Sequence, residues 1–507
     1  MMKKLLMLAF SILLLPAVQN GNSQSLETFE KNVTEFTLDN GLTFIIIERD
    51  VAPVVSFMTY VNVGSANEPV GQTGIAHIFE HMAFKGTSYL GTTDYEQEKV
   101  LIEAVDDAYR EWLREKTRTI PDEEKLDTLW AEFLRLEEEA KKFVVNNEFS
   151  TILDQEGAVG MNAFTSADAT GYFYSLPSNK VELWFSLESD RFLDPVFREF
   201  YVEKDVIYEE RRMRTDSSPF GRLIEEFLSV AFSAHTYKNP VIGWPSDITA
   251  TTIKETREFY ERFYVPSNIT IAIAGDVDPA EMKRLAELYF NRMPEGEPAP
   301  ILTVSEPPQR AERRFIIEEE SQPIFMKGYK TVASDHPDSK ALQLTASILF
   351  QGRTSRLFKR MVTEEKLALA VSGFNGFPGS KYPGLFLLYA FPNQGVALDE
   401  IESVFEEEIE KLKNGEVEQN ELDRVRTQVR ASLVRSLANN TGLTFNFAGT
   451  HAITGDWRNV FRDIDKLSEI TLEDIQRVAN TYFYKENRTV GMIRTKSDGE
   501  EVAGANQ

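Results

Sequence analysis

The sequence predicts an α+β protein of two related domains, each a mostly antiparallel sheet packed with helices. Short runs rich in β-branched and aromatic residues alternate with longer stretches of helical periodicity along the whole chain. Residues 294–308 carry five prolines in fifteen positions, which is the composition of a linker. The segment before that linker and the segment after it both begin with the order strand, strand, helix. We therefore expect a first domain over 25–293 and a homologous second domain over 309–496.

Composition narrows the function. The 507 residues are enough for several domains with sizeable cores. A net charge of −25 argues against a nucleic-acid partner, because phosphates would be repelled. The chain has no cysteine, which excludes disulfides, cysteine metal ligands and a thiol nucleophile.

The chain begins with the pattern of a secretory signal over residues 1–24. Lys3 and Lys4 precede an apolar run from Leu5 to Val18. That run is too short to span a bilayer, and no later stretch is long enough. We therefore expect export to a bacterial periplasm or secretion, with no membrane span. The polar tail, 497–507, is expected to be disordered.

The first domain opens with strands. Residues 33–48 read as a hairpin turning at Asn40-Gly41, and Val54–Val63 as a third strand. Residues 95–150 are charged and helical in period, with a break before Pro121, and predict a helical-hairpin insert. The remaining first-half strands are expected at 160–166, 171–176 and 269–274, and the helices at about 178–190, 201–214, 218–231, 251–263 and 279–290.

The second domain repeats the alternation of strands and helices. Its predicted strands cover 315–317, 324–331, 368–374, 384–391 and 488–494, and its predicted helices cover 339–350, 357–365, 397–413, 417–438 and 472–484. The helix over 339–350 carries no metal-ligating side chain. The metal chemistry is therefore expected in the first half.

A His-x-x-Glu-His motif lies within 74–87. On a helix, His77 and His81 project from one face and can share one zinc ion. Glu80 lies on the same side, placed to take a proton from a water molecule activated by the ion and to pass it to a leaving amine. The alternative is a pair of half-buried structural histidines. The chain has only five histidines, and two of them fall on this motif.

Taken with other motifs, the chain resembles the pitrilysin/insulinase family of zinc peptidases, which includes the mitochondrial processing peptidases. The shared stretches are LDNGLTF, GIAHIFEHMAFKGT, NAFTS, VEKDVIYEE, NPVIGW and AGDVDP. The resemblance implies one Zn²⁺ per chain, with Glu210 as the third ligand. It makes Glu203, two helical turns earlier, a residue that orients a histidine. Glu209 is the alternative to Glu210 and is expected to face solvent.

The resemblance also implies a place for the substrate. Asn162, Ala163, Phe164 and Thr165 match the family's edge strand, where a peptide adds as an extra strand beside the metal. Asn162 offers an amide N–H to the oxyanion. The alternative is an ordinary strand end with an Asn in a turn.

One departure from the family pattern concerns the second domain. Self-sufficient members carry an Arg and a Tyr there, seven residues apart, which hold the substrate carbonyl. The matching positions here are Val362 and Leu369, and neither side chain can donate a hydrogen bond. We therefore expect a second homologous subunit to supply the pair in a heterodimer, or else a homodimer, acting on peptides or unfolded polypeptides in an enclosed chamber.

Two other functions fit the same residues. A non-catalytic assembly or binding subunit of a larger complex is disfavoured, because His77, Glu80, His81 and Glu210 are all intact. A zinc-carrying scaffold without turnover would have the same sequence pattern.

Overall fold

The computed structural model describes residues 30–496. The first half builds a six-stranded sheet in the order β1-β2-β6-β3-β5-β4. Its strands are β1 (Val33–Thr37), β2 (Thr43–Glu48), β3 (Val54–Val61), β4 (Val159–Thr165), β5 (Thr170–Pro177) and β6 (Ile269–Gly275). All neighbours pair antiparallel except β2 and β6. β4 therefore lies at one edge of the sheet.

Ten α-helices belong to the first half of the described chain. They are α1 (Ile75–Met82), α2 (Tyr95–Lys116), α3 (Glu123–Ala140), α4 (Glu148–Gln155), α5 (Val181–Leu193), α6 (Phe200–Arg211), α7 (Pro219–Ala231), α8 (Pro245–Ala250), α9 (Ile253–Phe263) and α10 (Pro279–Phe290). A π-helical turn, Arg212–Asp216, continues α6. Most of these helices pack with one face of the sheet into a single large core.

The second half builds a five-stranded sheet in the order β7-β11-β8-β10-β9. Its strands are β7 (Arg313–Glu319), β8 (Ile324–Lys330), β9 (Ala368–Phe377), β10 (Leu385–Pro392) and β11 (Arg488–Thr495). Its helices are α11 (Asp338–Phe350), α12 (Leu398–Lys413), α13 (Gln419–Ser436), α14 (Asn440–Thr454), α15 (Asn459–Glu469) and α16 (Leu472–Tyr482). Only β7 and β11 pair in parallel.

Each half contributes a helix that packs on the sheet of the other half. Helix α7 of the first half buries Leu223 and Phe227 against Met326 and Leu387 of the second sheet. Helix α14 of the second half packs against β3 and β6, burying Phe447 with strand residues of the first sheet. Because these contacts are apolar and fully buried, they hold the halves together through the hydrophobic effect.

The helices α2 and α3 form a hairpin that leans on α6. The Arg198 guanidinium donates to the buried carboxylate of Glu98, and the Tyr201 hydroxyl donates to Asp106 at 2.7 Å. Aromatic rings of Tyr109, Trp112, Trp130, Phe133 and Tyr201 pack between the hairpin and α6. The inserted hairpin therefore supports the helix that carries Glu203 and Glu210.

The predicted fold class is confirmed: two mixed, mostly antiparallel sheets with helices packed on them. The segments of α8, α14 and α15 had no predicted element, and α4 extends to Gln155, beyond the predicted insert that ends at 150. Helix α14 holds Gly442 and Gly449, which lower helix propensity, so tertiary packing decides its conformation. The predicted signal over 1–24 and the tail over 497–507 lie outside the described residues. No helix in 30–496 is long and apolar enough to cross a membrane.

Candidate metal centre

The helix with the His-x-x-Glu-His motif starts at a tightly packed turn. Gly74 has a φ of 89°, and a Cβ there would meet the carbonyl oxygen of Ile242 at 2.7 Å. The buried Glu68 carboxylate accepts hydrogen bonds from the backbone N–H groups of Gly74 (2.9 Å) and Ala76 (3.0 Å). Burial raises the pKa of Glu68 to about 8, against the lowering effect of those two hydrogen bonds. Glu68 thus ties down the start of α1.

The structure brings His77, His81 and Glu210 together. Oε2 of Glu210 lies 3.7 Å from Nε2 of His77 and 3.8 Å from Nε2 of His81. Their ligand atoms all lie within 4.8 Å of one another, and no other such group of His, Cys, Asp or Glu occurs in 30–496. The two imidazoles come from successive turns of α1, and the carboxylate comes from the last turn of α6.

These three side chains fit a zinc ion. Two imidazole nitrogens and one carboxylate oxygen are a donor set of catalytic zinc sites, which leave a fourth position open. Tetrahedral ligands at zinc bond lengths stand roughly 3.4 Å apart, so the two separations between Glu210 and the imidazoles need to close by only a few tenths of an ångström. Burial, then the charges of His81 and Arg214, lower the pKa of His77 to about 3. His77 is therefore neutral, as a metal ligand must be.

A chain of charged groups orients His81. Its Nδ1 lies 3.2 Å from Oε2 of Glu203, which leaves Nε2 facing Glu210. Oε1 of Glu203 pairs with the Lys85 ammonium at 2.6 Å, and Lys85 also donates to Glu199 at 3.0 Å. Burial lowers the pKa of His81, but the hydrogen bond and charge of Glu203 outweigh it and leave the pKa raised. A carboxylate behind a histidine in this way fixes its tautomer and ring orientation.

Glu80 points toward the edge strand of the first sheet. Its Oε2 accepts a hydrogen bond from the Thr165 hydroxyl at 2.5 Å. Burial raises the pKa of Glu80, and this effect exceeds the lowering by Thr165 and by the charge of His81. A raised carboxyl pKa suits a group that must accept a proton and release it again near neutral pH.

The strand predicted to bind substrate is the sheet edge β4. Ala163 packs against the core that includes α1, whereas Phe164 stacks on Phe445 of α14 on the opposite face. Asn162 is exposed, and its side-chain oxygen accepts a hydrogen bond from the N–H of Ala163 at 2.9 Å. Within 30–496, β4 pairs only with β5, so its outer edge is open to an added strand.

The structure also adds residues that the sequence analysis did not single out. Glu68 anchors α1, Lys85 supports Glu203, and Arg214 donates to Oε1 of Glu210 at 2.8 Å. Arg214 follows Glu210 by four residues, so helical spacing could have indicated that pair, whereas Lys85 pairs with Glu203 and Glu199 of other elements, which spacing does not indicate. No sequence spacing indicated Glu68, because its contact with the start of α1 depends on the turn that precedes the helix.

The next residues are the alternative ligand, Glu209, and the two residues that depart from the family pattern, Val362 and Leu369. Glu209 is exposed and pairs with Arg212 at 2.5 Å, away from the histidines. Val362 lies in a π-helical turn, Phe358–Glu364, partly buried against the second core. Leu369 is exposed on β9.

Two family models match the chain. The model described as "Insulinase (Peptidase family M16)" matches residues 44–109 and 138–244, and "Peptidase M16 inactive domain" matches 250–429. The chain belongs to the insulinase family. The gap in the first match, 110–137, falls within the inserted hairpin of α2 and α3. Residues 110–137, the end of α2 and most of α3, are therefore an addition to the part of the family fold that carries the His-x-x-Glu-His motif, whereas residues 95–109 and 138–150 of the predicted insert match the family.

Curated relatives within the insulinase family match along nearly their whole lengths. The Helicobacter pylori protein named "Zinc protease PqqE" is 26% identical over 94% of this chain and 95% of its own. The Bacillus subtilis protein named "Uncharacterized zinc protease YmxG" is 20% identical over 90% of this chain and 96% of its own.

Solved structures share the fold. The crystal structure of a protease from Helicobacter pylori superposes with a TM-score of 0.76 at 25% identity, covering 91% of this chain and 99% of that one. The periplasmic protease PqqL from Escherichia coli gives a TM-score of 0.66 at 18% identity, covering 92% of this chain and 48% of that one. This chain therefore corresponds in fold to about half of the longer protein.

Proposed function

We propose that this protein is an exported zinc-dependent endopeptidase. The observation that carries the proposal is the convergence of His77, His81 and Glu210, with Glu80 beside them. The relatives named zinc proteases support the same chemistry. Bound zinc would act as a Lewis acid, lowering the pKa of water and polarising a peptide carbonyl.

The chain's own residues would then do the following. His77, His81 and Glu210 hold the ion, and Glu203 keeps His81 turned toward it. Glu80 takes a proton from the attacking water and delivers it to the departing amine nitrogen. The Thr165 hydroxyl holds Oε2 of Glu80 in place between these two transfers.

The substrate is proposed to be an extended peptide that adds to the open edge of β4. Backbone pairing along Asn162, Ala163, Phe164 and Thr165 would give affinity with little sequence preference. Thr165 couples that edge to Glu80 directly, so a paired peptide would run beside the proton-transfer group. In an enclosed chamber, such a site would select unfolded polypeptides by size.

We further propose that the active form is a pair of homologous chains. Val362 and Leu369 offer no hydrogen-bond donor, and losing an oxyanion donor costs on the order of 10²–10³ in rate. A second subunit carrying the Arg and Tyr would complete the site. Export to the periplasm or secretion is proposed from residues 1–24, and it agrees with a structural relative described as periplasmic.

The deciding experiment is hydrolysis of a mixed peptide pool by the purified, zinc-loaded chain alone, with Glu80→Gln as the blank. Turnover that disappears in the blank would establish the peptidase and exclude an obligate partner. Zinc binding without turnover would support the pair, to be tested by adding candidate homologous subunits. If no addition produces turnover above the Glu80→Gln blank, the assembly-subunit function replaces the peptidase.

A further inference from the structure

Three arginines follow the candidate ligand Glu210, and each has a different partner. Arg211 is buried; its guanidinium donates to both oxygens of Glu225, at 2.7 and 2.9 Å, and to the carbonyl of Gly243 at 2.8 Å. The other two have exposed side chains. Arg212 pairs with Glu209, and Arg214 pairs with Glu210.

The pair with Glu210 divides that carboxylate between two neighbours. Oε1 of Glu210 lies 2.8 Å from the Arg214 guanidinium, while Oε2 faces the two imidazoles at 3.7 and 3.8 Å. The two carboxylate oxygens are equivalent, so the pair does not choose between them; it fixes the plane of the carboxylate. While one oxygen is held by Arg214, the other is kept facing His77 and His81.

The backbone at Arg214 is held firmly although its side chain is exposed. It lies in the π-helical turn that follows α6, a feature that often occurs at functional sites. A Cβ at Gly221 would clash with the carbonyl oxygen of Arg214, so only glycine lets α7 approach this closely. Arg222 then binds the carbonyl of Asp216 and the carboxylate of Glu319 in the second sheet. The Arg214 guanidinium thus reaches Glu210 from a backbone position that is held in place by its neighbours.

We propose that Arg214 is a positioning residue of the metal centre, which holds Oε1 of Glu210 so that Oε2 stays directed at the ion. This role rests on the proposed function, because it requires a metal between the two histidines and Glu210. Groups that orient a ligand typically contribute 10–100-fold to metal affinity.

The charge of Arg214 works in the opposite direction. The Arg214 guanidinium lies 2.8 Å from the candidate ligand Glu210, so its positive charge would also repel a bound cation. Because 73% of the Arg214 side chain is exposed, solvent screens this repulsion, and orientation is expected to dominate. The two effects predict opposite changes in zinc affinity when the guanidinium is removed.

The test is the zinc dissociation constant, measured by competition with a chromophoric chelator. We expect Arg214→Gln to bind zinc about 10–100-fold more weakly than the unaltered chain, and Arg214→Lys to recover part of the loss. The matched control is Arg212→Gln. Arg212 has the same charge, lies two residues away, is 65% exposed, and pairs with a glutamate that faces solvent. Its loss should leave zinc affinity unchanged.

Thermal unfolding of the metal-free variants separates orientation from general damage, and the two arginine variants should unfold alike. Equal or tighter zinc binding by Arg214→Gln, beside tight binding by the unaltered chain, would overturn the positioning role and leave the proposed function standing. Failure of the unaltered chain itself to bind zinc would overturn both.

Discussion

Each half of the described chain places a helix beside an edge strand of its sheet. Only in the first half do side chains able to bind a metal come together there. In the first half α1 lies along β4, and in the second half α11 lies along β9, which is the last strand of its own sheet. The first place gathers two imidazoles and a carboxylate with Glu80 beside them. The shared arrangement thus provides a site, and a few side chains decide its chemistry.

The second place is an open cleft of about 850 Å³. Helix α11 contributes Ser339, Gln343 and Ser347 to its wall, and the Lys340 ammonium is paired with Asp463 at 2.5 Å. Within the described residues, no group of ligating side chains converges there. Neutral hydroxyl and amide groups can bind a polar chain, but they cannot hold a zinc ion as thiolates, imidazoles and carboxylates do.

The helix starts differ as well. Glu68, from the turn before α1, is fully buried, and burial raises its pKa to about 8. Asp338, at the first turn of α11, is also buried. Burial raises the pKa of Asp338, but the Tyr482 hydroxyl and the Arg477 guanidinium outweigh it and lower the pKa overall. The two helix starts should therefore respond to pH with opposite signs.

The largest expected effect comes from removing a candidate metal ligand in the first half. His81→Ala should remove zinc binding and reduce peptide hydrolysis by at least about 10³-fold, because the ion contributes several kcal/mol to the transition state. The parallel change on the other helix, Gln343→Ala, should alter neither. Metal content by mass spectrometry and peptide turnover check both. Zinc retained by His81→Ala would contradict the assigned ligand set.

The pH dependence of stability should distinguish the two helix starts. The folded pKa of Glu68 is raised from 4.5 to about 8, so the folded chain holds a proton that the unfolded chain releases. Stability contributed by Glu68 is thus complete below pH 4.5 and is lost as pH rises through 8, on the order of 5 kcal/mol. Glu68→Gln should remove this dependence.

Asp338→Asn should behave in the opposite sense, since the folded pKa of Asp338 is depressed. The aspartate stabilises above its unfolded pKa, and this contribution is lost as pH falls through the folded pKa. Urea unfolding of the unaltered chain and both variants measures these changes at pH 4.5, 7 and 9 for Glu68, and at about pH 2 and 3 for Asp338, whose contribution is lost only below the ordinary pKa of 3.8. Parallel pH profiles for the unaltered chain and Glu68→Gln would refute the raised pKa.

A smaller effect is expected from the group behind His81. Glu203→Gln removes the charge facing His81 and Lys85 while keeping the size of the side chain. Zinc affinity should fall about 10–100-fold, with the three ligands still present. Isothermal titration gives the value, and Glu209→Gln on the exposed side of α6 is the control. Equal affinities for the two variants would mean that Glu203 does not orient the histidine.

The smallest effect is expected in the second cleft. Lys340→Met breaks the pair with Asp463 at the cleft wall. The free energy of unfolding should change by less than about 1 kcal/mol, because partly exposed ion pairs contribute little. Peptide hydrolysis should stay unchanged, in contrast to substitutions beside α1. A loss of activity in Lys340→Met would show that the second cleft also serves the reaction.

Local patterns in the sequence determined the elements and the identity of the chemical groups. The Asn40-Gly41 turn, the break before Pro121 and the proline-rich segment 294–308 all lie between successive strands or helices of the structure, because turns and helix starts depend on nearby backbone geometry. Spacing alone placed His77 and His81 on one face of a helix. It also placed Glu203 and Glu210 on one side of another helix, and the structure brings both helices together.

The missed helices α14 and α15 have different causes. Helix α14 is glycine-containing and weakly periodic, and its conformation follows from packing against the first sheet. Helix α15 carried a usable signal, since Val460, Phe461, Ile464 and Leu467 repeat at helical spacing.

The sequence by itself therefore determined the fold class and most of the strands and helices. Spacing indicated His77 and His81 as candidate metal ligands, and the family resemblance added Glu210 to that set. Only the tertiary structure decided how that set is supported. Glu68 beneath α1, Thr165 on Glu80 and the split of the Glu210 carboxylate all join residues on different elements or backbone turns. The packing of α7 and α14 on the sheet of the opposite half also joins separate elements. Sequence spacing reports neighbours along one helix or strand, whereas contacts between elements arise from packing of the whole chain.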